Sequence, residues 1–211
     1  MNEVRKYRFY AFKLAGICIL VYFIQMMFAG FTDMFLLSAE LWMQIWRFVT
    51  SIFLHADGVH LLYNMFALIL FGGILEKLIG SKRLLIVFFS TGILANIISV
   101  NFYSSSLGAS GAVFGLIGAL VVVRPGLMVW AFSMPMPIIL AGALWMMGDL
   151  IGIFMPSNVA NIAHLAGMGF GLVFGGFYRR LKLGKIRSLR ENEIKIENKI
   201  GKEKLQLMKN Q

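Results

Sequence analysis

The chain has 211 residues, is 59% hydrophobic and only 14% charged, and carries a formal net charge of +10. Its mean hydropathy of +0.77 excludes a water-soluble domain, which could not hide that much apolar surface. The basic surplus flanks the apolar part, as Arg5, Lys6, Arg8 and Lys13 before it and from Arg179 to Lys209 after it. That is the distribution of membrane topology, and it argues against a nucleic-acid groove.

Taken in order, the apolar runs predict six helical spans, at about 11–30, 59–75, 84–103, 110–123, 137–154 and 159–178. The first lacks a small-residue cleavage site and more spans follow it, so it reads as a retained helix. It contains the single cysteine, Cys18, which excludes an internal disulfide. The segment 31–47 sets Asp33 and Glu40 among Trp42, Trp46 and several Phe and Leu, the pattern of a stretch lying in the membrane interface. Ser104, Ser105 and Ser106 read as a polar turn, and Arg124-Pro125-Gly126 closes the fourth span. Pro135 and Pro137 open the fifth and Pro156 ends it. Residues 1–180 form one six-helix domain, and 181–211 form a basic tail, expected as an amphipathic helix on the inner leaflet.

Six spans put both termini on one side. Of the 20 Lys and Arg, only Arg47 falls in a loop on the opposite side. The positive-inside rule therefore predicts a multi-pass cell-membrane protein with both termini cytoplasmic.

Helix rise converts sequence into depth, at about 1.5 Å per residue across a core of roughly 30 Å. Measured from Arg124, Tyr178 and Glu76 at the inner ends of their helices, Ser110, His164, Asn64 and His60 all stand about 18–24 Å up. Four polar side chains from three helices thus share one layer nearer the outer face. Singly, each is accounted for by a hydrogen bond between helices. Together they are the parts of an acyl-transfer site. An imidazole can take the proton of a serine hydroxyl, and His60, Asn64 and the Ser110 N–H are suitable donors for an oxyanion. No carboxylate is obviously placed to orient His164, so the arrangement reads as a dyad. Ala163, Gly167, Gly171 and Gly175 repeat every four residues in the sixth span, and Gly111, Gly115 and Gly118 form a small-residue strip in the fourth. Two such faces can pack backbone to backbone, which would set Ser110 beside His164. Phe114, one turn below Ser110, either supports the imidazole or simply packs.

These residues resemble the rhomboid intramembrane serine proteases. The likeness covers about 46–178 and runs through Trp46-Arg47, then His55, His60 and Asn64, then Gly72-Gly73-Ile74-Leu75-Glu76. It continues through Gly108-Ala109-Ser110-Gly111 and Ala163-His164-Leu165-Ala166-Gly167 with Gly171. The resemblance implies an all-α polytopic six-transmembrane-helix rhomboid fold with a water-filled cavity open to the outer side. It implies Ser110 as nucleophile and His164 as general base and acid. His60, Asn64 and the backbone around Gly108 and Ser110 would face the oxyanion and substrate, with Phe114, His55, Gly111 and Gly167 in support. The segment 31–47 resembles the family's membrane-embedded first loop, and the fifth helix its lateral gate. No cofactor, metal cluster or nucleotide loop is indicated. The partners implied are single-span membrane protein substrates and the lipid bilayer, without nucleic acid.

Asp149, in the fifth span, is expected to pair with a histidine or line the cavity, with no catalytic role in the family pattern. Asp57 reads as solvated and His55 as structural or water-holding. Two other functions compete with proteolysis. A non-catalytic rhomboid-like protein that binds or moves membrane clients would typically lack the serine or the histidine, and both are present. A channel or transporter with midplane polar groups predicts internal repeats, and none is evident.

Overall fold

The computed structural model describes residues 7–155 and 159–209. Two compact units divide the chain, Met1–Gly176 and Phe177–Gln211. The first holds every residue of the candidate site. The second is the remainder of the last helix, whose backbone stays helical to Lys209. Pro156, expected to end the fifth span, lies outside the described residues.

Helix α1 (Tyr10–Met27) is apolar nearly all round. It buries Ala11, Leu14, Ala15 and Cys18, one stripe at helical spacing, and leaves Phe12, Leu20 and Phe23 exposed where lipid would lie. Its first turn has no side-chain cap of its own. The buried carboxylate of Glu76 does that work from another helix. Its Oε1 accepts from the amides of Tyr10 at 3.0 Å and Arg8 at 3.3 Å, and its Oε2 accepts from Ala11 at 3.1 Å. Ser81 Oγ donates to Oε1 at 2.6 Å. A negative group on a helix N-terminus is favourable for the reasons any N-cap is.

The segment 31–47, expected to lie in the membrane interface, folds as a compact loop. It contains α2 (Phe31–Phe35) and β1 (Leu37–Ser38) and ends in α3 (Arg47–Thr50). Arg47 gathers it. The guanidinium Nη1 donates to the carbonyls of Asp33 at 2.8 Å and Leu36 at 2.7 Å, and Nε donates to Gln44 Oε1 at 2.6 Å. Trp42, Met43, Ile45 and Trp46 remain exposed around that buried hub. The serine run is likewise no simple turn. Ser105–Ser106 form β2, antiparallel to β1, with Leu37 opposite Ser106.

The next span runs from Gly58 to Ile79 as α4 (Gly58–Ala67), a π-helical turn at Leu68–Gly72 and α5 (Gly73–Ile79). α6 (Ser81–Ser99) follows and stops short of Tyr103, where the third span was expected to end. α7 (Ser110–Val123) is only 14 residues long, about 21 Å, too short to cross a bilayer core fully. A hairpin then joins β3 (Met128–Ala131) to β4 (Met134–Pro137), with Phe132 and Ser133 both at positive φ as a tight primed turn demands. Pro135 and Pro137 are tolerated because this two-stranded ribbon is all edge. α8 (Ile138–Gly152) and α9 (Asn161–Lys209) complete the chain.

α1, α6 and the Gly58–Ile79 span are long and apolar enough to cross a membrane, and α7 and α8 are shorter apolar helices. α7 forms the centre of the first unit. Gly111 to Val113 and Gly115 to Val121 are all buried, so its apolar character on every side is that of a core helix. The neighbouring α6 comes close because Gly115 has no side chain. A Cβ there would overlap the hydroxyl of Thr91, which donates to the Val87 carbonyl at 2.7 Å.

Candidate active site

Ser110 is the first residue of α7. The opening amides of a helix have no acceptor within it, so the N–H groups of Ser110 and Gly111 form part of the positive end of the helix dipole, unclaimed by the helix. Ala109, at the N-cap, supplies no side-chain cap to them.

The turn before the serine is held from below. The Gly108 N–H donates to the Ser51 carbonyl at 2.9 Å. Asn96 Nδ2 in turn donates to Ser51 Oγ at 3.0 Å and to the Phe48 carbonyl at 2.8 Å. Gly108 was expected on the oxyanion and substrate side; its own amide is engaged by the Ser51 carbonyl. What Gly108 contributes is shape. Its φ of +124° suits glycine alone, and a Cβ there would come within 2.7 Å of His60 Cε1. The imidazole of His60 occupies the space that the missing side chain leaves.

His60 lies in the first turn of α4, and the local chemistry fixes that turn. Asp57, exposed as expected, is also the N-cap, its Oδ1 accepting from the His60 amide at 2.8 Å. Asn64, one turn on and buried, donates from Nδ2 to the His60 carbonyl at 2.9 Å. That leaves its second amide hydrogen uncommitted by this bond. His55 is buried behind, its ring edge-on to His60 at 5.2 Å between centroids. Gln25 of α1 grips the His55 backbone, accepting from its N–H at 3.0 Å and donating to its carbonyl at 3.2 Å. Burial, and after it the nearby His60, push the His55 imidazole down to a pKa of about 4. A polar pocket of about 180 Å³ lies beside it, lined by Tyr22, Gln25, Thr32 and His55 among others.

The third wall is α9. Its small residues meet α7 backbone to backbone. A Cβ on Gly167 would overlap the Gly111 carbonyl, and one on Gly171 would overlap the Gly115 carbonyl. One on Gly175 would stand 2.7 Å from the Ala119 carbonyl. The three contacts recur every four residues on both helices, the register of close interhelical packing. One turn above Gly167, the Ala163 carbonyl faces Gly111, the residue next to Ser110. His164 follows directly. Phe114, on the Ser110 face one turn down, stacks flat on its ring at 4.4 Å and 7°.

The imidazole also has a carboxylate. His164 Nδ1 lies 2.9 Å from Asp149 Oδ1 of α8, with both side chains largely buried. The sequence placed no carboxylate against His164; the structure puts Asp149 there. Sequence reasoning marked Asp149 as an ionisable residue within a span but could not choose its partner. It missed Ser51, Asn96 and Gln25 altogether, because neutral polar residues in apolar runs give no signal of direction. Among the described residues no group of three or more His, Cys, Asp or Glu is placed to hold a metal ion.

The structure brings a serine at a helix start, an imidazole across a glycine seam and polar groups of a third helix into one region. Residues 43–181 match the family model described as the Rhomboid domain. The chain is 37% identical over 137 residues to YdcA of Bacillus subtilis (strain 168), covering 61% of this chain and 66% of that protein. It is 29% identical over 183 residues to the rhomboid protease GlpG of Haemophilus influenzae, covering 80% of this chain and 90% of that one. With the RHOMBOID-like protein 6, mitochondrial, of Arabidopsis thaliana it shares 34% identity over 132 residues, 62% of this chain and 42% of the relative. The chain belongs to the rhomboid family of polytopic membrane serine proteases.

Proposed function

We propose that this protein cleaves single-span membrane proteins at a peptide bond near the outer membrane face, with Ser110 as nucleophile and His164 as general base. Ser110 Oγ attacks the scissile carbonyl carbon while its proton passes to His164 Nε2, and the carbonyl π pair moves onto oxygen. His60, the free amide hydrogen of Asn64 and the Ser110 N–H are the donors for that oxyanion. The imidazolium then protonates the leaving amine as the C–N bond breaks. A water, deprotonated by the same imidazole, hydrolyses the acyl-enzyme.

The observation that carries this reading is the glycine seam between α7 and α9. It sets the Ser110 turn against the turn bearing His164, with Phe114 bridging the two. The scissile carbonyl of a helical substrate is hidden in its own hydrogen bonds, so cleavage favours sites where Gly, Pro or polar residues weaken the substrate helix. The apolar runs support six spans, and the placement of Lys and Arg supports cytoplasmic termini. Residues 1–180 then constitute the protease, in the cell membrane, and 181–211 a cytoplasmic basic tail.

The test uses purified protein in proteoliposomes with a panel of single-span substrates, and the masses of the products give the cut site. Wild type should cut near the outer end of the span and label with a fluorophosphonate. Ser110→Ala and His164→Ala should lose cleavage, and Ser110→Ala should lose the label. Equal cleavage by Ser110→Ala and wild type would sink the proposal.

A further inference from the structure

Asp149 Oδ1 lies 2.9 Å from His164 Nδ1, and Asp149 Oδ2 is buried without a hydrogen-bond partner. The carboxylate therefore spends its one protein contact on the imidazole. This pairing belongs to the helix packing and is no stray rotamer. One turn along α8, Gly152 meets Asn161, which stands one turn before His164 on α9; a Cβ on Gly152 would come within 2.8 Å of the Asn161 amide. The two contacts run in opposite directions along the two helices, so α8 and α9 are locked antiparallel in the register that brings 149 to 164. Phe114 then presses on the flat of the same ring. Ring plane and ring edge are both defined.

We propose that Asp149 is the positioning residue for His164. Its carboxylate accepts a hydrogen bond from Nδ1–H, selects that tautomer and leaves Nε2 with the lone pair that a base toward Ser110 requires. When Nε2 takes the serine proton, the ring becomes a cation beside a buried anion, and no proton passes to the carboxylate. Because the carboxylate sits on α8 and the base on α9, the base is set only while those two helices keep their register. The proposal rests on the reading of His164 as general base.

Asp149→Asn preserves shape and removes the charge. We expect kcat on a cleavable transmembrane substrate to fall by about a hundredfold or more, with KM changed by less than about threefold. Asp149→Glu should recover part of the loss. A purely structural contact would lower the melting temperature in all variants without that split. The decisive second measurement needs no turnover. In protein labelled with 15N-histidine, which carries three histidines, His164 should show the Nδ1–H tautomer at neutral pH, and Asp149→Asn should lose that preference. If wild type cleaves and Asp149→Asn keeps kcat within about twofold, or if the His164 tautomer is the same in both, the proposal is overturned. If wild type cleaves nothing, the functional reading fails, and the nitrogen spectra still decide whether Asp149 sets the ring.

Discussion

The ring of Phe114 lies flat on the imidazole of His164, 4.4 Å between centroids and 7° from parallel. A stacked aromatic pair of this kind is worth about 0.5–1.5 kcal/mol beyond the area it buries. That favours one ring orientation over its alternatives by roughly two- to twelvefold. Phe114→Ala should therefore lower kcat by roughly two- to tenfold with little change in KM, while Phe114→Tyr, which keeps a ring, stays near wild type. Steady-state kinetics on one substrate checks this; a fully active Phe114→Ala would show that the stack does not position the base.

The α7–α9 seam makes a sharper forecast, because two glycines of one helix differ completely in what surrounds them. A methyl on Gly167 would run into the Gly111 carbonyl, which is backbone and cannot swing away, whereas a methyl on Gly169 would meet nothing within 4 Å. Gly167→Ala should cost about 1–3 kcal/mol of stability and most activity, and Gly169→Ala should be near neutral or slightly stabilising. Thermal or SDS-induced unfolding of the pair decides it. Equal behaviour would mean that the helices pack less closely than described.

Glu76 joins the start of α1 to α5. Removing it takes the acceptor from the Tyr10 amide and from the buried Ala11 amide. Each unsatisfied buried group costs about 1–3 kcal/mol. Glu76→Ala should destabilise by at least that much and accelerate amide hydrogen exchange at Tyr10 and Ala11 before any other part of α1. Unchanged exchange there would remove Glu76 as the cap.

His55 introduces a pH dependence of stability. Burial, then the neighbouring His60, bring its pKa to about 4, against 6.5 for an ordinary histidine. Between those values the unfolded chain binds a proton that the folded chain refuses, so stability is full above about pH 6.5 and falls as the pH drops toward about 4. His55→Gln should flatten that acid limb in an SDS-unfolding series from pH 7.5 to 4.5. An equally steep decline in the variant would assign it to other groups.

Much of this protein is written in composition and order. The apolar runs dictate a membrane protein, since no soluble core could absorb them, and helix rise alone predicts one depth for Ser110, His164, His60 and Asn64. The four-residue spacing of Gly167, Gly171 and Gly175 announces a face that a backbone can touch. Depth, however, says nothing about rotation. Asp149 and His164 are 15 residues apart on different helices, and whether their side chains meet depends on how each helix turns about its own axis. Packing decides that angle through contacts such as Gly152 against Asn161 and Thr91 against Gly115. The same holds for Glu76 capping a helix 65 residues away and for Arg47 organising the loop that strand pairing ties to Ser106. Those are long-range hydrogen bonds between polar atoms that hydropathy treats as interchangeable. They exist only once the chain has closed on itself and water is gone, when each such atom must find a partner.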